Sequence, residues 1–391
     1  MRRLLVSHLA VFVVGAAALR VAVVPPEVCP PLRAGAARAA IGEAAGWLER
    51  GLRPDGRFTY GYDRERDEVS RSYNTTRHAG VLLGLYQIAA SGDRSRLGAA
   101  DAGLRYVRRN LLRRDGWTAF AVPGEEVRIG PSALALAALM HRRLATGDAS
   151  NDALMWSLGR FLVAQLQPDG SILGSWSLAT GRPVPGRYAK FGTGEALWAL
   201  ALMHRLFPGE GWGEPARRLA RYVATRRDDV EGYVLTFPDH WAAYALAELG
   251  PERLGGEEVA YARRLAGALG LSSRMEAQSQ GHGLNRLLRG EPASGAGLGS
   301  IGEGLAALWR LSRADSRLAD LQEDLAERLS CTAARTVERQ AGAGEAARYP
   351  KPGFVRGAWF SEGGYTQMDD QRHALSALLA ALELPEAGEQ R

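Results

Sequence analysis

The sequence predicts an all-α fold, an (α/α)6 toroid of six helical hairpins and so twelve helices, and three observations predict it. Acid-glycine pairs recur at spacings of 60, 54 and 62 residues: Asp55-Gly56, Asp115-Gly116, Asp169-Gly170 and Glu231-Gly232. Each follows an amphipathic helical stretch and precedes a second stretch richer in small and apolar residues. Two of these second stretches nearly repeat at a spacing of 63, as Ala138-Leu139-Met140-His141-Arg142 and Ala201-Leu202-Met203-His204-Arg205.

Along the chain, Arg2 and Arg3 precede an apolar run from Leu4 to Leu19 that only Ser7 and His8 interrupt. Arg20 stops the run, and Pro25-Pro26 follow. Residues 1–31 therefore read as a targeting segment with a Pro-rich linker. Against a buried first helix of the fold, it reads either as a signal peptide cut after small residues or as a single membrane anchor reaching Val24. Either form places the toroid, residues 32–391, outside the cytoplasm: periplasmic, secreted, or tied to the membrane if the segment stays uncleaved. Cys29 and Cys331, some three hundred residues apart, show neither a disulfide framework nor metal-ligand spacing.

The outer helices are expected over Ala36–Leu52, Arg96–Arg113, Asp152–Gln167 and Glu214–Arg227, each ended by an acid-glycine turn whose glycine is left-handed. Strand-like segments such as Arg57–Tyr60 and Gly116–Phe120 follow the turns. The inner helices are expected over Arg77–Ala90, Pro131–Ala145, Gly194–Phe207 and His240–Leu249. Two further pairs complete the ring, Glu257–Ala268 with Ile301–Ser312 and Arg317–Gln340 with Gln371–Leu382. Helices apolar on most sides belong inside. Long loops over Phe58–Asn74, Ile172–Gly192, Met275–Ser300 and Ala341–Thr366 all leave one end of their hairpins, which favours a closed ring over an open solenoid.

The 391 residues are 46% hydrophobic and 24% charged, which excludes a disordered, collagen-like or disulfide-scaffold chain. The net charge of +6 is carried by Arg, with Lys only at Lys190 and Lys351 and no basic stripe, so no nucleic-acid partner is expected. Turns such as Gln167-Pro168-Asp169-Gly170-Ser171, followed by a loop and an inner helix opening with polar residues, resemble the six-hairpin toroids. That group includes six-hairpin glycosidases, uronyl-sugar hydrolases and lyases, sugar epimerases and, more distantly, terpenoid and lanthionine cyclases. The resemblance covers Ala36 to the C-terminus as architecture and matches no single family's motif set. It implies a site where the loops meet the N-terminal ends of the inner helices.

Those ends supply the candidates. Arg77-His78-Ala79 and Arg372-His373-Ala374 open the first and last inner helices, which a closed ring makes neighbours. Arg77 and Arg372 are suited to gripping a carboxylate through paired hydrogen bonds. Tyr73, His78 and His373 would position a sugar or move protons, and Asp370, with Glu195 or Asp239, would supply acid and base. Asn74, Asp369, His240, Trp241, Trp359 and Tyr365 complete the substrate-binding set. Further loop aromatics are Phe58, Tyr60, Tyr62, Trp176, Tyr188, Phe237 and Phe360. Ser300-x-x-Glu303 and Thr366-x-x-Asp369 read as capping boxes, and Asp239 as an N-cap, so structural roles compete for these acids. No metal or cofactor is implied: the lone cysteines exclude a lanthionine-cyclase-like zinc centre, and spacing is not diagnostic for His78, His282 and His373.

The expected activity is that of a carbohydrate-active enzyme, a hydrolase, lyase or epimerase, on an anionic, uronic-acid-containing saccharide. A non-catalytic saccharide-binding or envelope-assembly toroid would keep the aromatics without a productive acid pair. A terpenoid-cyclase-like enzyme would need a deep, dry aromatic cavity.

Overall fold

The computed structural model describes residues 2–22, 24–233, 238–279 and 281–385. Helix α1 (Arg2–Ala22) stands before the ring. Six hairpins follow, each an outer then an inner helix: α2 (Ala34–Arg50) with α3 (Thr75–Ala90), α4 (Leu97–Arg109) with α5 (Ile129–Thr146), and α6 (Asp152–Ala164) with α7 (Gly192–Leu206). The rest are α8 (Gly213–Thr225) with α10 (His240–Leu249), α11 (Gly256–Ala277) with α13 (Gly295–Ala314), and α14 (Gln322–Glu338) with α17 (Met368–Ala381). Short helices α9 (Arg227–Glu231), α12 (Gly283–Arg289), α15 (Ala343–Ala346) and α16 (Pro352–Val355) lie in the connections.

The inner helices pack in the order α3, α5, α7, α10, α13, α17, and α17 returns onto α3, so the ring is closed. Helices α3, α5 and α7 are buried along nearly their whole length. Having no polar face, they would leave apolar surface in water at the ends of an open solenoid. Outer helices α4 and α8 bury one stripe only. At the closure, the Arg372 stem of α17 lies across Gly80 and Gly84 of α3, where an added Cβ would come within 3.1 Å of Arg372 at each position.

Small strands anchor the loops at one end of the ring. β1 (Gly61–Asp63) pairs with β2 (Glu68–Val69) and with β8 (Tyr365–Gln367), which runs straight into α17. β3 (Leu111–Arg114) pairs with β4 (Trp117–Phe120). β5 (Val127–Arg128), leading into α5, pairs with β6 (Ser175–Ser177), which pairs with β7 (Arg182–Pro183).

Four features differ from the sequence reading. Leu111–Arg114 is a strand and not a helix tail, because it pairs with Trp117–Phe120 across the Asp115-Gly116 turn. The four acid-glycine glycines are left-handed as expected, with φ of 80–88°, but only Gly232 ends a helix, α9. In the turns after α2 and α6 the aspartate accepts a backbone N–H two residues on, Arg57 to Asp55 and Ser171 to Asp169, after the helix has ended. Helix α13 begins at Gly295, six residues before the expected Ile301, which puts Ser300 inside it.

The fourth difference concerns the cysteines, which form a disulfide, Cys29–Cys331, closing 302 residues of sequence separation. Spacing could not show this, because ring closure brings the chain start beside α14. Reduction, or Cys29→Ser, should lower stability by about 3–5 kcal/mol through the freed unfolded chain. Urea unfolding midpoints with and without reductant measure it. No helix among the described residues is long and apolar enough to cross a membrane, so the structure lends the anchor reading no span.

Candidate active site

The N-terminal ends of all six inner helices surround a cavity of about 530 Å³, completed by Ala189, Lys190 and Phe191 of the loop before α7. Arg77, Arg128, Lys190 and Arg372 bring four cationic side chains to its lining, alongside the acids Glu195 and Asp369. A cavity lined by these six ionisable side chains is not the dry aromatic chamber a cyclase would require.

Three consecutive inner helices build the base of the site. Arg372 and His373 come from the first turns of α17, Glu303 from α13 and His240 from the start of α10. The buried Arg372 guanidinium donates from Nη1 to Glu303 Oε1 at 3.1 Å and places Nη2 2.6 Å from His373 Nε2. It also lies 4.8 Å from the Trp241 ring centroid, a cation–π contact that holds its plane. Glu303 Oε2 takes the other histidine nitrogen, Nδ1, at 2.5 Å. Arginine can only donate, so Nε2 is the acceptor and Nδ1 carries the hydrogen given to Glu303. A carboxylate that locks a histidine tautomer leaves the opposite nitrogen as a base.

His240 stands 5.1 Å from His373, ring to ring, with Nε2 3.6 Å from Glu303 Oε2 and without a hydrogen-bond partner. Burial, with His373 and Arg372 adding to it, holds His240 well below the ordinary histidine range, so this ring is neutral at neutral pH.

The two lining acids are pushed in opposite directions. Burial raises Glu195 to about 8; Arg372 offsets part of this, while Asp239 and Asp369 add to it. Glu195 packs against Gly130 of α5, where a Cβ would meet its Oε2 at 2.5 Å. Burial also opposes ionisation of Asp369, but His373, Arg372 and Arg77 outweigh it and hold the carboxyl below its ordinary value. Asp369 lies 3.4 Å from Arg77 Nε, 3.8 Å from Arg372 Nη2 and 3.7 Å from His373 Nε2. A protonated carboxyl and an ionised carboxylate therefore face one cavity at neutral pH.

Several predicted residues stand elsewhere, each for a physical reason. Asp370 is the N3 acid of a capping box, accepting from Gln367 N and Ala296 N at 2.9 Å, and is not part of the lining. The box is Gln367–Asp370 and not Thr366–Asp369, and that one-residue shift turns Asp369 into the cavity. Asp239 caps α10 through Trp241 N and Ala242 N and pairs with buried Arg227 at 2.6 Å. Burial raises its carboxyl even against Arg227. His78 is enclosed by Phe58, Tyr106 and Phe120, hydrogen-bonded to Tyr73 Oη at 2.6 Å and to Gly103 O at 3.1 Å, and burial lowers it to about 4.

The matching Arg-His pairs thus have different duties: Arg77 and His373 face the cavity, while His78 faces α4. Trp359 is buried, donating to Thr336 O at 2.7 Å, and Tyr365 lies on β8, outside this cavity. Asn74 lines the cavity and caps α3 through Arg77 N. Phe237 lies outside the described residues.

The Ser300-x-x-Glu303 spacing reads as a cap, but Ser300 is mid-helix, donating to Ala296 O, and buried Glu303 instead holds Arg372 and His373 of the lining. Arg128, Lys190 and Phe191 carry no site motif in the sequence; the loop after β7 delivers the last two, and their position just before Gly192 is their one sequence signal. By donor type, His240, Glu303 and His373 could hold a metal ion, their ligand atoms lying within 4.8 Å of one another. Arg372, however, already sits on both Glu303 and His373, so the cluster is organised around a guanidinium and fits a second cation poorly.

No protein-family model matches the chain, and no curated protein does. Solved structures do match in shape. The chain is similar to cellobiose 2-epimerase from Spirochaeta thermophila DSM 6192, with a TM-score of 0.60 and 14% identity over 89% of this chain and 96% of that one. It is similar to an α-1,6-mannanase of Salegentibacter sp. HEL1_6 in complex with α-1,6-mannotriose, with a TM-score of 0.55 and 12% identity over 90% and 99%. It is also similar to an unsaturated glucuronyl hydrolase specific for heparin, with a TM-score of 0.57 and 14% identity over 89% and 97%. At such identities the likeness concerns the fold: the chain is a six-hairpin (α/α)6 toroid of the architecture these enzymes share.

Proposed function

We propose that the chain is a carbohydrate-active enzyme that moves a proton on an anionic, uronic-acid-type saccharide, by epimerisation or elimination. The observation that carries this is the Glu303–His373 dyad opening onto a cavity lined by four cationic side chains. Arg77 would hold the sugar carboxylate. That carboxylate would also draw the Arg372 Nη2 hydrogen away from His373 Nε2, so the base is uncovered only when the anion is seated. His373 Nε2 would then take the proton from the carbon beside the carboxylate, Glu303 and Asp369 balancing the charge on the imidazolium. Protonated Glu195 would return a proton, to the same carbon in an epimerase or to the leaving glycosidic oxygen in a lyase. His240 Nε2, lacking a partner, would hydrogen-bond the saccharide. Three neighbouring folds, those of sugar epimerase, cellobiose 2-epimerase and mannose isomerase, accompany this reading.

A second reading rests on the opposed shifts of Glu195 and Asp369, which suit the acid and base of an inverting hydrolase. Incubation of a panel of uronic-acid and neutral saccharides in D2O separates the two. Deuterium on a sugar carbon, or an unsaturated product, lost in His373→Ala, is the expected result. New reducing ends without carbon-bound deuterium, insensitive to His373→Ala but lost in Glu195→Gln and Asp369→Asn, would establish hydrolysis. Saccharide binding without turnover would favour the non-catalytic toroid. An extracytoplasmic location fits the Cys29–Cys331 disulfide, which persists in oxidising compartments.

A further inference from the structure

Helix α1 is apolar on every face from Leu9 to Leu19 and carries these side chains in water, Val11 at 73% and Phe12 at 71% exposure among them. It packs against α12 of the toroid, and that short helix exposes Leu284, Leu287 and Leu288 at 57%, 77% and 61%. The end of α11 adds exposed Leu271 and Met275, and exposed Val28 sits beside them, donating its N–H to Ala277 O at 3.0 Å. These residues form an apolar surface continuous with α1. A patch of this kind on a soluble face marks an interaction site.

The chain between the two parts is short and tied to the toroid at its far end. Glu27 pairs with Arg274 at 2.8 Å and with Arg328, and Cys29 is bonded to Cys331 of α14. From Ala22 to Glu27 is five residues, a reach of at most about 18 Å even when fully extended. Whatever receives α1 therefore lies close to α12. A helix with an apolar centre, a basic start and Arg20 at its end, without an acid along its length, matches a lipid surface better than a folded protein partner.

We infer that α1 and α12 together seat the toroid on a lipid bilayer, with α12 and the end of α11 inserting into the interface beside α1. This stands independently of the reaction proposed above. It has a consequence for position: six residues after α12, the first two turns of α13 bring Ala296, Gly297 and Ser300 to the cavity lining, so this side of the cavity rim would lie beside the bilayer.

Flotation of the full chain with vesicles of phosphatidylethanolamine and phosphatidylglycerol tests it. The wild type should float. The triple variant Leu284→Ser/Leu287→Ser/Leu288→Ser should lose roughly a hundredfold or more in partitioning, from the apolar area it no longer buries. Leu144→Ser and Leu178→Ser, exposed leucines elsewhere on the ring, should partition as the wild type does. Circular dichroism and an intact disulfide check that each variant is folded. Equal partitioning of the triple variant, or failure of the wild type to float, overturns the inference. So does light scattering that shows a stable dimer dissolved by the triple variant, since the face would then belong to a second copy.

Discussion

Glu195→Gln should stabilise the protein at alkaline pH and disable it in the same substitution. Burial lifts this carboxyl from an ordinary 4.5 to about 8, so between those values the native state holds a proton that the unfolded chain has released. The native state binds more protons, and stability therefore falls as pH rises through that window, by about 1.4 kcal/mol per unit and roughly 4–5 kcal/mol in all. The contribution is fully favourable below pH 4.5 and fully lost above 8. Glutamine cannot ionise, so the two proteins should match near pH 4 and the variant should be the more stable at pH 9. Urea unfolding across pH measures the difference, and parallel curves would mean that Glu195 is not held protonated. Turnover should fall by roughly 10²–10⁴, the worth of a positioned general acid. A buried acid that costs stability is tolerated where chemistry needs its proton.

His373→Ala and Glu303→Ala should both lower turnover by roughly 10²–10⁴, yet part company on stability. Removing His373 leaves the Arg372–Glu303 pair intact, so unfolding should change little beyond the lost packing of one ring. Removing Glu303 leaves the Arg372 guanidinium, 2% exposed, without the carboxylate that compensates it. Breaking a buried pair from one side costs about 3–5 kcal/mol. Chemical denaturation of both variants reads the split. Glu303→Gln sharpens the test: it keeps a hydrogen-bond acceptor for His373 and shows whether the charge or the hydrogen bond makes the base. Equal stability of Glu303→Ala and wild type would mean that Arg372 finds full compensation in Asp369, 3.8 Å away.

What the sequence determined by itself is the ring and which inner-helix ends meet at its closure. The acid-glycine repeat and the all-round apolar inner helices are local signals, set by turn sterics and by water, and they need no partner to be read. The pairing of Arg77 with Arg372 followed from closure alone, and Asp369 does lie between them. The roles of the acids did not follow, because a cap is defined by where a helix starts. Helix α13 starting six residues early moved Glu303 from a cap to the centre, and a one-residue shift in the last capping box exchanged Asp369 and Asp370. The two Arg-His pairs read alike, but helix rotation about each axis sends His78 toward α4 and His373 toward the cavity. The disulfide likewise needed the ring closed before Cys29 could meet Cys331. Sequence periodicity carries which face is apolar; only tertiary packing decides, to within one residue and one rotation, which polar side chain on the inner ends is turned into the cavity and which is spent on holding a helix.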